Sequence, residues 1–309
     1  MSESAHSGNH GLRSRPLGGE GATRVLFGFG MAVIAIGVLV YSPVWFAGLV
    51  MLIVVFTARE WHRLVRIRRE DSESHALLVQ TLVTIGVVGV ALILMLLRRA
   101  AWLAPVSALL IPAAFLVLAV GAVASFVAGR NREDNPYWHA GGVLYIGLAA
   151  MALVALRSIP IAPRGTEIVL GLFLIVWSTD TGALIFGKLI GGAKLAPTIS
   201  PGKTWAGTIG GSVCAALVYG LYIAFFSFPV LLAMLFALLF SATAHLGDLF
   251  ESFVKRRFGT KDSGGLIPGH GGALDRMDST FAAAPVMALL VFGSQFLGLH
   301  FNPLFGGHL

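Results

Sequence analysis

Residues 166–187 read TEIVLGLFLIVWSTDTGALIFG, and this stretch decides the fold. It is long and apolar enough to cross the roughly 30 Å hydrocarbon core of a bilayer as one helix, which takes about 20 residues. The carboxylate of Asp180 lies well inside it. A charged group within a membrane helix is costly, so it is expected to face a protein interior or a water-filled cavity. The sequence therefore predicts a membrane helix that lines a polar site, the alternative being a structural carboxylate bonded by neighbouring helices.

The rest of the chain has the composition of a membrane protein. Its 309 residues are 56% hydrophobic and 12% charged, whereas a soluble domain is about 25% charged. This excludes a disordered chain and an ordinary water-soluble enzyme. The single cysteine, Cys214, excludes a disulfide framework. We predict an all-α polytopic membrane protein with about nine transmembrane helices, and we expect no nucleic-acid partner. The predicted spans are roughly 25–42, 43–58, 76–97, 103–128, 138–156, 166–187, 206–227, 229–248 and 280–298.

The basic residues predict the orientation of these spans. With nine spans, most of the 22 Lys and Arg residues fall on one side of the membrane. Cytoplasmic loops are enriched in Lys and Arg, so the N-terminus is predicted in the cytoplasm and the C-terminus outside. We expect a multi-pass protein of the cell (inner or plasma) membrane. The other side would carry Arg98, Arg99, Arg157 and Arg164.

Three regions differ in chemistry. Residues 1–22 are predicted to be a disordered cytoplasmic tail, and 23–160 an N-terminal transmembrane bundle that buries no ionisable group. Residues 161–309 are predicted to form a catalytic transmembrane region with cytoplasmic loops 188–204 and 249–279. Within it, the small residues Gly207, Gly211 and Ala215 share one helix face. Such a face packs tightly within a bundle or across a homodimer.

The predicted loop 188–204 has two prolines that interrupt a helix, and it ends in Gly202-Lys203-Thr204. The match to a P-loop fails, because a membrane span precedes it and the upstream glycine is missing. Lys203 and Thr204 are still placed to hold a phosphate at the start of the next span, where backbone N–H groups are free. The alternative is a lysine that marks the cytoplasmic end of a span.

Charged residues and glycines concentrate in 245–278. Asp248 and Glu251 are three apart on one helix face, and Asp275 and Asp278 repeat that spacing beside Arg276. Paired carboxylates beside basic residues suit a divalent cation that carries phosphates, because Mg²⁺ takes one or two carboxylates plus substrate oxygens. The glycines allow backbone N–H groups to approach an anion closely. The alternative is a solvated charged loop between two spans.

The run from Ser252 to Asp278 resembles the signature of the phosphatidate cytidylyltransferases, also called CDP-diacylglycerol synthases. Upstream, the regions around Asp180 and 195–205 also resemble this family. Ala206 and Gly202 depart from it, where a Glu and a second Lys are expected, and so does the small Ala273. The matching residues are Ser252, Val254, Lys255, Arg256, Lys261, Asp262, Gly264, Ile267, Pro268, His270, Gly271, Gly272, Asp275, Arg276 and Asp278.

The resemblance implies the reaction of CTP with phosphatidate to give CDP-diacylglycerol and pyrophosphate, with one or two Mg²⁺ ions. It also suggests a homodimer. We expect Asp248 and Asp275 to be the metal ligands, with Asp180 and Asp278 as second choices. The groups expected to act in catalysis are Asp248, Asp275, Lys255, Arg276 and Asp278. Those expected to bind substrate are Lys203, Ser200, Arg256, Lys261, His270, Gly271, Gly272 and Asp180.

Other classes of protein share some of these features. A transporter or channel would also bury Asp180 in a membrane helix, although the charges gather at one face and the halves show no obvious repeat. A membrane transferase for another nucleotide or a polyprenyl phosphate would share the phosphate chemistry. A structural scaffold would have no use for the 248–278 constellation.

Overall fold

The computed structural model describes residues 19–66, 75–98, 100, 107–130, 135–159, 164–226, 229–261, 263–264 and 272–296. Within these ranges the chain forms nine α-helices and one small β-hairpin, in which β1 pairs antiparallel with β2. The elements are α1 (Gly19–Tyr41), α2 (Pro43–Leu64), α3 (His75–Leu97), α4 (Ser107–Arg130), α5 (Pro136–Arg157), α6 (Arg164–Leu189), β1 (Lys194–Ala196), β2 (Ser200–Thr204), α7 (Trp205–Ile223), α8 (Val230–Arg257) and α9 (Leu274–Phe296).

The predicted helical membrane fold is confirmed. Eight of the described helices, α2 to α9, are long and apolar enough to cross a bilayer, and α1 contributes the shorter apolar segment Gly28–Tyr41. The chain is therefore an integral membrane protein. Helix α1 begins at Gly19, inside the tail predicted for 1–22, and residues 1–18 lie outside the described ranges.

Three predicted boundaries were wrong. Helix α2 continues to Leu64, beyond the predicted end at 58, because Trp61 and Leu64 are buried. Helix α8 continues to Arg257, so the predicted loop 249–279 begins nine residues too early. One face of this extension is buried, including Glu251 and Val254. Packing of that face therefore stabilises the helix beyond its apolar segment. The predicted loop 188–204 instead contains the last residues of α6 and the whole β-hairpin.

Caps fix the starts of two helices. Ser42 accepts a hydrogen bond from the Val44 N–H at the start of α2, with Pro43 in the first turn. Thr204, the last residue of β2, accepts one from the Gly207 N–H of α7 at 3.1 Å. Since Thr204 closes the hairpin and also caps α7, the neighbouring Lys203 has a fixed position at the end of the bundle.

The small-residue face of α7 packs within the chain. A Cβ on Gly207 would stand 2.8 Å from the Ala183 carbonyl oxygen, and one on Gly211 would stand 2.5 Å from that of Thr179. Both carbonyls belong to α6, and Ala215 is fully buried. Of the two uses predicted for this face, it serves close packing of α6 and α7.

The N-terminal bundle buries ionisable groups, contrary to prediction. Glu60, His62, His139 and Arg157 are at most 8% exposed. They are tolerated because each is hydrogen-bonded: the two imidazoles approach to 2.8 Å between their Nδ1 atoms, and Arg157 Nε donates to the Leu39 carbonyl. The carboxylate of Glu60 reaches helix α9, as described below.

Candidate active site

Four helices and the hairpin meet around one cavity at one end of the bundle. The C-terminal parts of α6 and α8 run toward this end, and α7 and α9 begin there. The cavity has a volume of about 380 Å³, within the range of about 300–1,000 Å³ usual for small-molecule sites. Its polar and charged lining residues are Asp180, Lys203, Thr204, Thr208, His245, Asp248, Glu251, Lys255, Asp275, Arg276, Asp278 and Ser279.

One ion pair joins the hairpin to α8. The ammonium of Lys203 lies 2.6 Å from Asp248 Oδ2, and the side chains are 18% and 36% exposed. The pair links residues 45 positions apart, of which Lys203 was predicted in the loop 188–204 and Asp248 at the end of the span 229–248. Lys203 and Asp248 therefore contact each other at the lining of the cavity.

A second basic group joins α8 to α9. Lys255 Nζ lies 3.1 Å from Glu251 Oε2 and 2.9 Å from Asp275 Oδ1. The other oxygen of Asp275, Oδ2, accepts a hydrogen bond from the Gly272 N–H at 2.9 Å. Asp275 thus binds a lysine and the backbone at the N-terminus of α9, where a negative charge is favoured by the helix dipole.

Two further carboxylates are linked through one serine. Ser279 N–H donates to Asp278 Oδ1 at 2.7 Å, and Ser279 Oγ lies 3.4 Å from Asp180 Oδ1. Asp278 is 7% exposed and belongs to α9, whereas Asp180 belongs to α6. The carboxylate of α6 consequently lies beside the acidic start of α9 and lines the cavity.

The hydroxyl groups beneath the cavity connect α6, α7 and α8. Thr179 Oγ1 donates to Ser241 Oγ at 3.0 Å, and Ser212 Oγ lies 2.9 Å from the same atom. His245 Nε2 lies 3.2 Å from the Thr208 carbonyl oxygen. These contacts hold α6, α7 and α8 together. Asp180 belongs to α6 and Asp248 to α8.

The predicted site residues fall into three groups. Those that line the cavity are Asp180, Lys203, Asp248, Lys255, Asp275, Arg276 and Asp278. Those that are described but are not among its lining residues are Ser200, Arg256, Lys261 and Gly272. The remaining two, His270 and Gly271, lie outside the described residues.

The described residues outside the lining have other contacts. Arg256 Nε donates to the Ile199 carbonyl in the hairpin turn at 3.3 Å. Gly272 donates its N–H to Asp275, and a Cβ at Gly272 would stand 2.7 Å from Glu60 Oε2. Arg256 thus tethers the hairpin to α8, and Gly272 belongs to the start of α9.

Two carboxylates were not assigned as site residues from the sequence. Glu251 was noted only for its spacing from Asp248, yet it lines the cavity and is 1% exposed. Glu60, just beyond the predicted second span, was not singled out. The signal available for Glu251 was its spacing of four residues from Lys255, whereas nothing in the sequence marked Glu60.

The donor atoms of the cavity suit a hard cation. Asp180, Asp248, Glu251, Asp275 and Asp278 supply only oxygen ligands, which Mg²⁺ and Ca²⁺ prefer. Glu251 Oε1 is buried and has no hydrogen-bond partner among the described residues. Over these same residues, no group of three or more His, Cys, Asp or Glu side chains is already gathered in metal-binding geometry. In this structure Asp248 is paired with Lys203 and Asp275 with Lys255.

Fold and site together define a class of protein: an α-helical membrane protein whose charged cavity lies where four helices meet. A sequence model of the cytidylyltransferase family matches residues 22–293, which is most of the chain. The chain belongs to this family.

Relatives support the same assignment. The chain is 47% identical over 166 residues to a Brucella suis protein named phosphatidate cytidylyltransferase; the match covers 52% of this chain and 58% of the relative. It is 45% identical over 151 residues to a Staphylococcus haemolyticus protein of the same name, covering 48% and 56%. A Staphylococcus aureus relative of that name is 45% identical over 154 residues, covering 49% and 57%. The chain thus matches less than two thirds of each relative's length.

Proposed function

We propose that this protein is a phosphatidate cytidylyltransferase, which joins CTP and phosphatidate into CDP-diacylglycerol and releases pyrophosphate. The observation that carries the proposal is the cavity, where Lys203, Lys255 and Arg276 from three elements meet the carboxylates of α6, α8 and α9. A mixed charged cavity at the end of membrane helices suits two phosphorylated substrates, one of which is a lipid. The family and the names of the relatives support the same reaction.

The charge of the cavity argues for a divalent cation. Five carboxylates outnumber the three Lys and Arg side chains of the lining. If all are ionised, the cavity carries excess negative charge and repels CTP and phosphatidate. One Mg²⁺ ion would cancel this excess and a second would reverse it, and when bound they would polarise phosphate oxygens and stabilise the charge that develops on them.

Asp248 and Asp275 are the proposed metal ligands, and Asp180, Asp278 and Glu251 line the same cavity. Asp248 is bonded to Lys203 and Asp275 to Lys255. A lysine that leaves its carboxylate when the cation binds becomes free to hold a phosphate oxygen. The two ion pairs would therefore keep Lys203 and Lys255 in position until the substrate and cation enter together.

The reaction requires alignment more than a strong base. An oxygen of the phosphatidate phosphate attacks the α-phosphorus of CTP; this oxygen–phosphorus bond forms while the bond to the β-phosphate bridging oxygen breaks, and pyrophosphate leaves. Because both reactants are anionic, the main obstacle is repulsion. Lys203, Lys255 and Arg276 would neutralise the phosphates and hold them in line.

The lipid is proposed to enter from the side of the bundle. Leu184 lines the cavity and is 56% exposed, so it offers an apolar wall between the site and the lipid-facing surface. Acyl chains could remain in the bilayer while the phosphate reaches Lys203. The bundle end that holds the cavity also carries basic residues predicted on the cytoplasmic side, which supports a site at the cytoplasmic leaflet.

Purified protein in detergent tests this function. With phosphatidate, CTP and Mg²⁺, we expect pyrophosphate release and a lipid product of the mass of CDP-diacylglycerol. ATP, GTP and UTP are the controls for nucleotide choice. Ion or solute flux through proteoliposomes without CTP, in the absence of any product, would favour the transporter alternative and contradict the proposal.

A further inference from the structure

Helix α9 begins against a carboxylate from the other half of the chain. The Ala273 N–H donates to Glu60 Oε1 at 3.0 Å, and the Leu274 N–H donates to Glu60 Oε2 at 2.8 Å. Ala273 stands directly before α9 and Leu274 is its first residue, and backbone N–H groups at a helix start have no partner within the helix. Glu60 is 213 positions earlier in the chain, on α2, and only 7% exposed.

The same turn of α9 carries the proposed site residues. The Gly272 N–H binds Asp275, so three consecutive backbone N–H groups are bound by two carboxylates. Asp275 follows Leu274 directly, and Asp278 lies one turn further on. The position of Glu60 therefore sets where α9 begins, and with it where Asp275 meets Lys255.

The backbone of two glycines packs closely against the Glu60 carboxylate. A Cβ on Gly264 would stand 2.6 Å from Glu60 Oε1, and the three atoms nearest to it all belong to Glu60. A Cβ on Gly272 would stand 2.7 Å from Glu60 Oε2. These two glycines of the signature, expected to cradle nucleotide phosphates, enclose the Glu60 carboxylate in this structure.

We propose that Glu60 is a positioning residue for the reaction: it fixes the first turn of α9 and thereby holds Asp275 and Asp278 in the geometry that catalysis needs. The expected effect of Glu60 on turnover rests on the proposed function. Its contacts lie with the backbone of α9, and Glu60 itself is not among the cavity-lining residues. We therefore expect it to act on turnover and not on substrate affinity.

The first experiment compares full-length wild-type protein with Glu60→Ala and Glu60→Gln in detergent. Hydrogen–deuterium exchange of a peptide covering 272–280 is expected to be at least tenfold faster in E60A. In E60Q, which keeps one acceptor, kcat is expected to fall at least tenfold while KM for CTP and for phosphatidate stays within twofold. Glu167→Gln, about 20 Å along α6 from Asp180, is the matched control and should leave both unchanged.

The second experiment tests the contact with Gly264. In the wild-type background, Gly264→Ala is expected to lower kcat at least tenfold, because its methyl group displaces the bonded carboxylate. In E60A the space is open, so the same substitution should change kcat by less than twofold. Gly293→Ala, whose Cβ would meet nothing within 4 Å, is the neutral control.

The outcomes separate the two proposals. Unchanged exchange in E60A, an equal effect of Gly264→Ala in both backgrounds, or a rise in KM at constant kcat would overturn the role of Glu60. If the wild-type protein releases no pyrophosphate, the proposed function fails, and the exchange measurement alone then decides whether Glu60 anchors α9.

Discussion

Lys203 Nζ lies 2.6 Å from Asp248 Oδ2, so the hairpin between α6 and α7 is joined to α8 inside the cavity. The Lys203 and Asp248 side chains are 18% and 36% exposed, and the Lys203 Nζ atom itself is buried. The relationship predicts that each residue is needed for turnover and that neither is needed for the bundle to form.

Asp248→Asn is therefore expected to abolish turnover. The amide keeps the shape of the side chain but loses the charge that would hold a divalent cation and Lys203. Pyrophosphate release should fall at least 100-fold, while membrane insertion and elution on size exclusion stay as in the wild type. Normal turnover in this variant would remove Asp248 from the proposed metal site.

Lys203→Met should have a comparable effect, because it removes the positive charge proposed to hold a phosphate. Lys194→Met is the matched control: Lys194 is on the same hairpin, is exposed and is not among the residues lining the cavity. We expect full activity in K194M. Equal losses of activity in both variants would show that the positive charge of the hairpin matters and that the position of Lys203 does not.

Asp275→Asn tests the link between α8 and α9. It loses the ion pair with Lys255 and weakens the bond from the Gly272 N–H. A hydrogen bond to a charged group contributes about 1.5–3 kcal/mol, so the melting temperature in detergent should fall as well as the activity. A variant that keeps full turnover contradicts a role for Asp275 in the site.

Arg256→Ala should be milder. Its bond to the Ile199 carbonyl is exposed, and such a bond contributes about 0.5–1.5 kcal/mol, so we expect a two- to tenfold rise in KM for CTP from a loosened hairpin. Arg257→Ala is the control, since Arg257 is the next residue, equally exposed and without a role in the site. A loss above 100-fold in R256A would favour direct phosphate binding by Arg256.

Cysteine labelling checks the proposed side of the membrane. In a Cys214→Ser background, Lys194→Cys is expected to react with a membrane-impermeant maleimide only from the cytoplasmic side. Phe225→Cys, just beyond α7 at the other end of the bundle and 82% exposed, should react only from the outside. The reverse pattern would place the cavity at the outer leaflet.

The helical membrane fold could be predicted from the sequence because hydropathy and helix length are local properties. The helical spacing of acidic residues located Asp248, and the family signature located Lys255 and Asp275; the structure brings all three to one cavity. The charged extension of α8 was missed, because tertiary packing of Glu251 and Val254 stabilises it where hydropathy ends. The hairpin was missed because its two prolines and its glycines indicate an irregular loop, whereas its backbone pairing depends on α7 and α8.

The role of Glu60 could not be predicted from the sequence. Its role depends on a contact across 213 positions, between the end of α2 and the start of α9. A lone acid beside Arg59 and Arg63 has the pattern of a solvated helix end, and no local spacing distinguishes the two. Long-range backbone contacts of this kind follow only from the packed structure.

The most direct measurement follows the α-phosphate of CTP. Purified protein is given phosphatidate, Mg²⁺ and CTP that is radiolabelled at the α-phosphate in one reaction and at the γ-phosphate in another. From this mechanism we predict that the α-label enters the lipid fraction, that the γ-label leaves as pyrophosphate, and that D248N does neither. Transfer of the γ-label to lipid, or undiminished transfer of the α-label by D248N, would contradict it.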